Sequence, residues 1–251
     1  MCLIAWNWQS GGQQSLLLAA NRDEFYARPT EPLHWWEGGE ILAGRDLTAG
    51  GTWLGVSRSG RMAALTNYRS PADFRETAES RGGLVVGFLS GKLSAANYLD
   101  AILPDTQKYN AFNLLVWDGS QLMGLESRNA RAFLIGPGIG AVSNADFYTP
   151  WPKLKKITQG LADLQYKPRP IQDLAAWSLL RDAQTAPDTV LPNTGIDQER
   201  ERALSSAFIR LPEYGTRCST LLRLEPGKLW LEERRYSFKG LEGSAQFSYS
   251  F

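Results

Sequence analysis

The chain has 251 residues, is 43% hydrophobic and 21% charged, and carries a net charge of +1. That composition suits an ordinary globular protein and has no electrostatic footprint for nucleic acid or an anionic membrane. Its two cysteines, Cys2 and Cys218, and its lone histidine, His34, argue against a disulfide framework, a zinc site and any multi-histidine metal centre.

The first apolar run has no basic segment ahead of it and is too short for a signal peptide or membrane span. A reducing, cytoplasmic location and no membrane span are therefore expected. Residues 2–8 and 15–21 are apolar runs separated by Gln9-Ser10-Gly11-Gly12-Gln13-Gln14, a hairpin signal. With Gly11-Gly12 as the turn, Cys2 falls opposite Asn21. Arg22, Asp23 and Glu24 then emerge at the rim beside it. Pro32-Leu33-His34-Trp35-Trp36 reads as a loop. A second hairpin runs through 52–57 and 62–66 with its turn at Ser59-Gly60, so that Asn67 falls opposite Thr52 and shares one end with Gly50-Gly51.

Helices are predicted at about 81–90, with Leu84, Gly87 and Phe88 on one side, and at about 94–103, with Ser94 as N-cap. Residues 112–118 and 121–127 form a hairpin around Asp118-Gly119, and 131–136 and 140–144 read as two more strands. After Pro150 and Pro152, Leu154, Ile157, Leu161 and Leu164 keep helical spacing. Residues 171–183 are helical, and so are 197–210, where Glu199-Arg200-Glu201-Arg202 reads as solvated first turns. Strands near 217–225 and 228–237 flank Pro226-Gly227, and the alternating Gln246–Phe251 closes the chain as a sheet strand. One α+β domain over 1–251 is expected, with sheets in the middle and helices outside. Nine tryptophans predict a large apolar core and an aromatic-lined pocket.

Cys2 is the leading candidate for chemistry. Removal of Met1 would leave it a free α-amine with a pKa of about 7.7–8.0 beside a strong nucleophile. The alternative is that Cys2 is only a small buried hydrophobe. Arg22 suits a thiolate, and the carboxylates of Asp23 and Glu24 can orient an ammonium or accept its proton. A cluster around Arg45, Gly51 and Trp53 permits close approach of backbone to a ligand, although turn chemistry explains its glycines equally well. Asn67 and Asn144, at strand ends, are neutral donors suited to an oxyanion, although turn formation is the commoner explanation of an arbitrary asparagine. Arg217, entering a late strand, returns to the same mouth. Cys218 reads as structural and His34 as a packing or surface residue.

Cys2, the string Ala20-Asn21-Arg22-Asp23-Glu24-Phe25, Gly51-Thr52-Trp53-Leu54-Gly55, Leu65-Thr66-Asn67-Tyr68-Arg69, Ser143-Asn144 and Pro150-Trp151-Pro152-Lys153 together resemble the NRDE family, also called the transport-and-Golgi-organisation-2 family. More distantly, the chain is similar to N-terminal-nucleophile hydrolases of the penicillin V acylase and bile-salt hydrolase type. The resemblance implies a four-layer αββα sandwich of antiparallel sheets and a catalytic set of Cys2, Arg22, Asp23, Asn67, Asn144 and Arg217. Asn21, Glu24, Arg45, Trp53, Tyr68 and Arg69 are the binding candidates around it. In those hydrolases the arginine and aspartate are separated by two residues, whereas Arg22 and Asp23 are adjacent. Asn21 or Glu24 is therefore an alternative holder of a role given to its neighbour, and both Arg22 and Asp23 face Cys2 only if the strand has ended or bulged.

Two functional readings follow. The first is an N-terminal-cysteine amidohydrolase acting on a non-peptide C–N bond of a small molecule, with no cofactor and no metal required. The second is a binding or trafficking protein on the same scaffold, with haem or an acyl-thioester lipid as ligand.

Overall fold

A computed structural model describes residues 2–10 and 15–251. The hairpin turn expected at Gly11-Gly12 lies outside the described residues. Among the described residues thirteen strands form two antiparallel sheets. The six-stranded sheet contains β1 (Cys2–Gln9), β2 (Ser15–Phe25), β10 (Gly138–Val142), β11 (Tyr214–Glu225), β12 (Lys228–Ser237) and β13 (Gly240–Ser250), in the order β10-β1-β2-β11-β12-β13. The seven-stranded sheet takes β3 (Thr30–Trp35), β4 (Ile41–Asp46), β5 (Leu54–Ser57), β6 (Met62–Asn67), β7 (Phe112–Trp117), β8 (Leu122–Glu126) and β9 (Arg131–Leu134) in chain order. The helices are α1 (Gly82–Ser90), α2 (Ala95–Ile102), α3 (Pro152–Leu164), α4 (Arg169–Leu180) and α5 (Gln198–Ala203).

The layers follow from strand periodicity, because alternate side chains leave a strand on opposite faces. Along β1 and β2, Ile4, Trp6, Trp8, Leu16 and Leu18 meet Leu42, Val56, Met62 and Leu115 of the other sheet in a buried inter-sheet core. The intervening residues Leu3, Ala5, Leu17 and Ala19 pack outward on Leu154, Ile157, Trp177 and Leu180 of α3 and α4. On the far side, Ala63, Leu65 and Leu114 pack on Leu84, Val85, Phe88 and Leu99 of α1 and α2. The result is the expected αββα sandwich. Ser94 caps α2 by accepting the Asn97 N–H at 3.2 Å.

Several expectations are corrected. Gln9 pairs with Ser15, so Cys2 faces Arg22 and not Asn21. A one-residue register change moves a strand's side chains to the opposite face. The second hairpin slips in the same way, with Leu54 opposite Ala64. Its loop has three residues closed by Gly60 at φ 76°, and Ser57 and Arg61 pair by an N–H to carbonyl bond of 2.9 Å. Residues 30–35 form β3 and not a loop, since Leu33 turns into the inter-sheet core. The helix expected over 197–210 stops at Ala203. Ser205 and Ser206 divert their hydroxyls to the Arg202 and Phe208 carbonyls, offering the backbone an alternative to helix, and Phe208 and Ile209 fold into the interior. Strands β9 and β10, consecutive in sequence, belong to different sheets. Of the nine tryptophans only Trp53 lines the main cavity; Trp6, Trp8 and Trp117 fill the inter-sheet core instead.

Candidate active site

The strand ends converge on one cavity of about 780 Å³. Cys2 opens β1, and its thiol side faces the same way as Ile4 and Trp6, toward the space between the sheets. Its residue is only 6% exposed, and burial pushes the thiol up to about 11. The Ser143 hydroxyl donates to the Cys2 carbonyl at 2.9 Å. β10 delivers that hydroxyl, because its pairing of Val142 with Ile4 brings Ser143 and Asn144 alongside the start of β1.

β2 does not end with the apolar run at residue 21 but continues to Phe25, so the residues of the Asn21–Glu24 string alternate between faces. Arg22 shares the face of Cys2, its cross-strand partner, and lies 3.6 Å from Asp46 and 3.9 Å from Glu24. Asn21 and Asp23 point toward the helical layer. Asn21 donates to the Leu180 and Ala207 carbonyls at 2.8 and 2.7 Å and accepts from Ser219, which makes it a clamp between sheet and helices. Asp23 accepts from the Thr216 hydroxyl at 2.7 Å, is 1% exposed, and still contributes to the cavity wall. Burial raises its carboxyl above the ordinary range. The bulge needed to alter facing is on β11, between Thr216 and Cys218. It swings Arg217 toward the rim, where its guanidinium donates to the carbonyls of Phe25, Tyr26 and Arg28 at 2.9–3.1 Å.

Asn67, Glu24, Arg45, Trp53 and Arg217 join Cys2 and Arg22 around the cavity. Asn144 stands behind Asn67, with its Nδ2 donating to the Asn67 carbonyl at 2.9 Å. Tyr68 and Arg69 also lie behind the wall. Tyr68 packs under Arg128. Arg69, 5.0 Å above Trp151, forms a buried ion pair with Glu201 at 2.7 Å. Glu201 is thus not part of a solvated helix face. The glycines near Trp53 permit a close approach of two backbones: a Cβ on Gly51 would fall 2.6 Å from the Gly82 carbonyl carbon.

Four further residues belong to the neighbourhood. Arg81, immediately before α1, lines the cavity, and burial lowers its pKa. No motif marks it in the sequence. Lys153 is buried, donates to the Leu204 carbonyl at 3.0 Å, and is driven down to about 8 by burial. Its place in the Pro-Trp-Pro-Lys stretch is the only signal the sequence carries for it. Cys218, read as structural, is buried but also lines the cavity, next to Arg22 in register. Arg235, opposite Cys218 on β12, lines it as well. His34 is a strand residue of β3 whose Nδ1 lies 2.7 Å from the Pro32 carbonyl, and it does not line the cavity. The cavity wall offers a haem the side chains of Cys2, Cys218 and Tyr236 as axial donors, and no imidazole.

Two facing antiparallel sheets between helical layers, with a cysteine at the start of a central strand, define the class: an N-terminal-nucleophile hydrolase fold. The same fold occurs in the Caenorhabditis elegans N-acylethanolamine-hydrolyzing acid amidase ortholog, with a TM-score of 0.54, 13% identity, and coverage of 88% of this chain and 92% of that one. Residues 1–237 match the Transport and Golgi organisation 2 family, and the chain belongs to it. The Homo sapiens Transport and Golgi organization protein 2 homolog is 31% identical over 100% of this chain and 99% of its own length. The Bos taurus homolog is 34% identical over 90% and 89%. Among the described residues no helix is long and apolar enough to cross a membrane.

Proposed function

We propose that this protein is an N-terminal-cysteine amidohydrolase acting on a C–N bond of a small molecule. The observation that supports it is the position of Cys2: a buried thiol on a fixed strand at the wall of a large polar cavity, flanked by Arg22 and Asp23, with the only histidine elsewhere. Without an imidazole the base is the α-amine of Cys2 itself, after removal of Met1. The amine takes the thiol proton, and the sulfur attacks the carbonyl carbon to form a C–S bond and an oxyanion. Asn67, held through its carbonyl by Asn144, supplies a neutral donor to that oxyanion. Collapse breaks the C–N bond, and the α-ammonium returns its proton to the departing amine. Water, deprotonated by the same amine, then opens the thioester and releases the carboxylic acid. Asp23 holds the ammonium, while Arg22 and Arg81 favour the thiolate.

The test is intact-protein mass spectrometry after brief exposure to acyl p-nitroanilides. The mature chain is expected to lack Met1 and to gain one acyl group on Cys2, with Cys2→Ala folded but unmodified and inactive. Retention of Met1 in the active protein, or undiminished hydrolysis by Cys2→Ala, would overturn the proposal.

A further inference from the structure

The register of the six-stranded sheet draws a line of side chains along one wall of the cavity. Cys2 pairs with Arg22, Arg22 with Cys218, and Cys218 with Arg235. Directly paired residues share a face, and all four line the cavity. The two guanidinium groups of this row differ. Arg22 has Asp46 and Glu24 at 3.6 and 3.9 Å. Arg235 has no carboxylate within ion-pair distance among the described residues, and its Nε is closed off from solvent with no hydrogen-bond partner. Glu233, two residues back on β12, has its Oε1 occupied by the Leu33 N–H at 2.9 Å. Glu242 also lines the cavity but lies beyond ion-pair distance of Arg235. Arg81, on the side of the seven-stranded sheet, has as its only bond among the described residues a long 3.4 Å one to the Ala111 carbonyl.

The Nε of Arg235 is out of a ligand's reach, but Arg235 is partly exposed and lines the cavity with no carboxylate beside it, so a ligand anion that reaches its terminal nitrogens gains charge-assisted hydrogen bonds that no protein group among the described residues already holds. The spacing locates the acceptor. Neighbouring strands are about 4.8 Å apart, so the backbone of Arg235 is three strands, roughly 14 Å, from that of Cys2. A carbonyl at the Cys2 sulfur and an anion at the Arg235 guanidinium belong to two ends of one extended molecule.

We propose that the cavity selects amides whose acyl chain ends in a carboxylate, and that Arg235 is the residue that recognises it. The proposal rests on the amidohydrolase reading for the position of the scissile carbonyl. A guanidinium presents paired donors to a carboxylate, which gives geometric as well as charge selection. The two thiols of the row then have different duties: Cys2 reacts, while Cys218 fills the small space between Arg22 and Arg235 without excluding an acyl chain.

The experiment measures binding by calorimetry with Cys2→Ala protein, so that turnover cannot intervene, using suberic acid monoanilide and its methyl ester as probes. Hydrogen bonds to charged groups contribute about 1.5–3 kcal/mol, so the acid is expected to bind roughly tenfold or more tighter than the ester. Arg235→Gln should bring that ratio close to one, and Arg235→Lys should restore part of it, with circular dichroism and melting temperature checking the fold. Added salt should narrow the ratio in the protein that keeps Arg235, a readout that needs no variant. Equal affinity for acid and ester, no binding of the acid, or a preference that survives Arg235→Gln would each overturn the inference. Selective binding without acylation of Cys2 in the unsubstituted protein would defeat the amidohydrolase reading alone. Acylation by acid and ester at equal efficiency would defeat the selectivity alone.

Discussion

At the scale of single residues, burial sets the chemistry. Cys2 carries a thiol pushed up to about 11 by desolvation, so in protein that keeps Met1 it is protonated at neutral pH and a poor nucleophile. In a Cys218→Ala background its alkylation by iodoacetamide should rise about tenfold per pH unit toward pH 11. Protein with a free Cys2 amine should react faster at pH 7.5. An identical pH profile in both forms would show that the amine has no influence on the thiol.

Lys153 is the opposite case, a buried ammonium lowered to about 8. An unfolded lysine keeps its proton to about pH 10.4, so between pH 8 and that value the unfolded chain binds more protons. Stability contributed by this residue therefore rises with pH through that window and is lowest below it. Lys153→Met removes the titration. The difference in urea midpoint between wild type and variant should shift in favour of wild type from pH 7 to pH 9, and a constant difference would contradict the assignment.

At the scale of elements, the site is assembled by contacts that tie loops to strand ends. Arg69 follows β6 and Glu201 sits in α5. Their ion pair is 6% and 4% exposed at the side chains, and Glu201 also accepts the Thr194 N–H at 2.8 Å. Removing one member of a buried pair typically costs about 3–5 kcal/mol, so Glu201→Ala should lower the unfolding free energy by about 3 kcal/mol in urea melts. A change below about 0.5 kcal/mol would be the behaviour of a surface residue. The Gly51 and Gly82 backbones touch in the same way across the cavity edge. Gly51→Ala should cost about 1–3 kcal/mol through overpacking and should displace Arg81, next to Gly82, enough to weaken ligand binding.

At the scale of the whole molecule, the two sheets act as one body because their facing side chains are interleaved. Trp6 is 1% exposed and packs at 6.0 Å on Phe147, and Gly140 leaves it room: a Cβ there would fall 2.4 Å from the indole. Trp6→Ala should cost about 3–5 kcal/mol. Because Trp6 and Cys2 lie on the same face of β1, the variant should also loosen the thiol toward modification. Equal labelling rates in variant and wild type would mean that the inter-sheet core does not hold the nucleophile in place.

The periodic elements are legible in the amino-acid sequence. The apolar runs at 2–8 and 15–21 and the i, i+3, i+4 spacing from Leu154 to Leu164 record which face of each element is dry, and that is a local property. The candidates Cys2, Arg22, Asp23, Asn67 and Arg217 are legible for a related reason, as reactive or polar residues placed where apolar strands are expected to begin or end. Register is not legible. Pairing of Gln9 with Ser15 and of Leu54 with Ala64 shifts each hairpin by one residue from the expected register, and the first shift puts Arg22, not Asn21, beside Cys2. Nor can the chain alone reveal that Glu201 of a charged run is buried against Arg69, that Asn144 supports Asn67 from behind, or that Arg81 and Arg235 reach the cavity. Those residues acquire their environment from segments distant in sequence. Local patterning determined the elements and the candidate nucleophile of this protein; only the packing of the two sheets decided which charges are paired, which are left facing the cavity, and how far apart they stand.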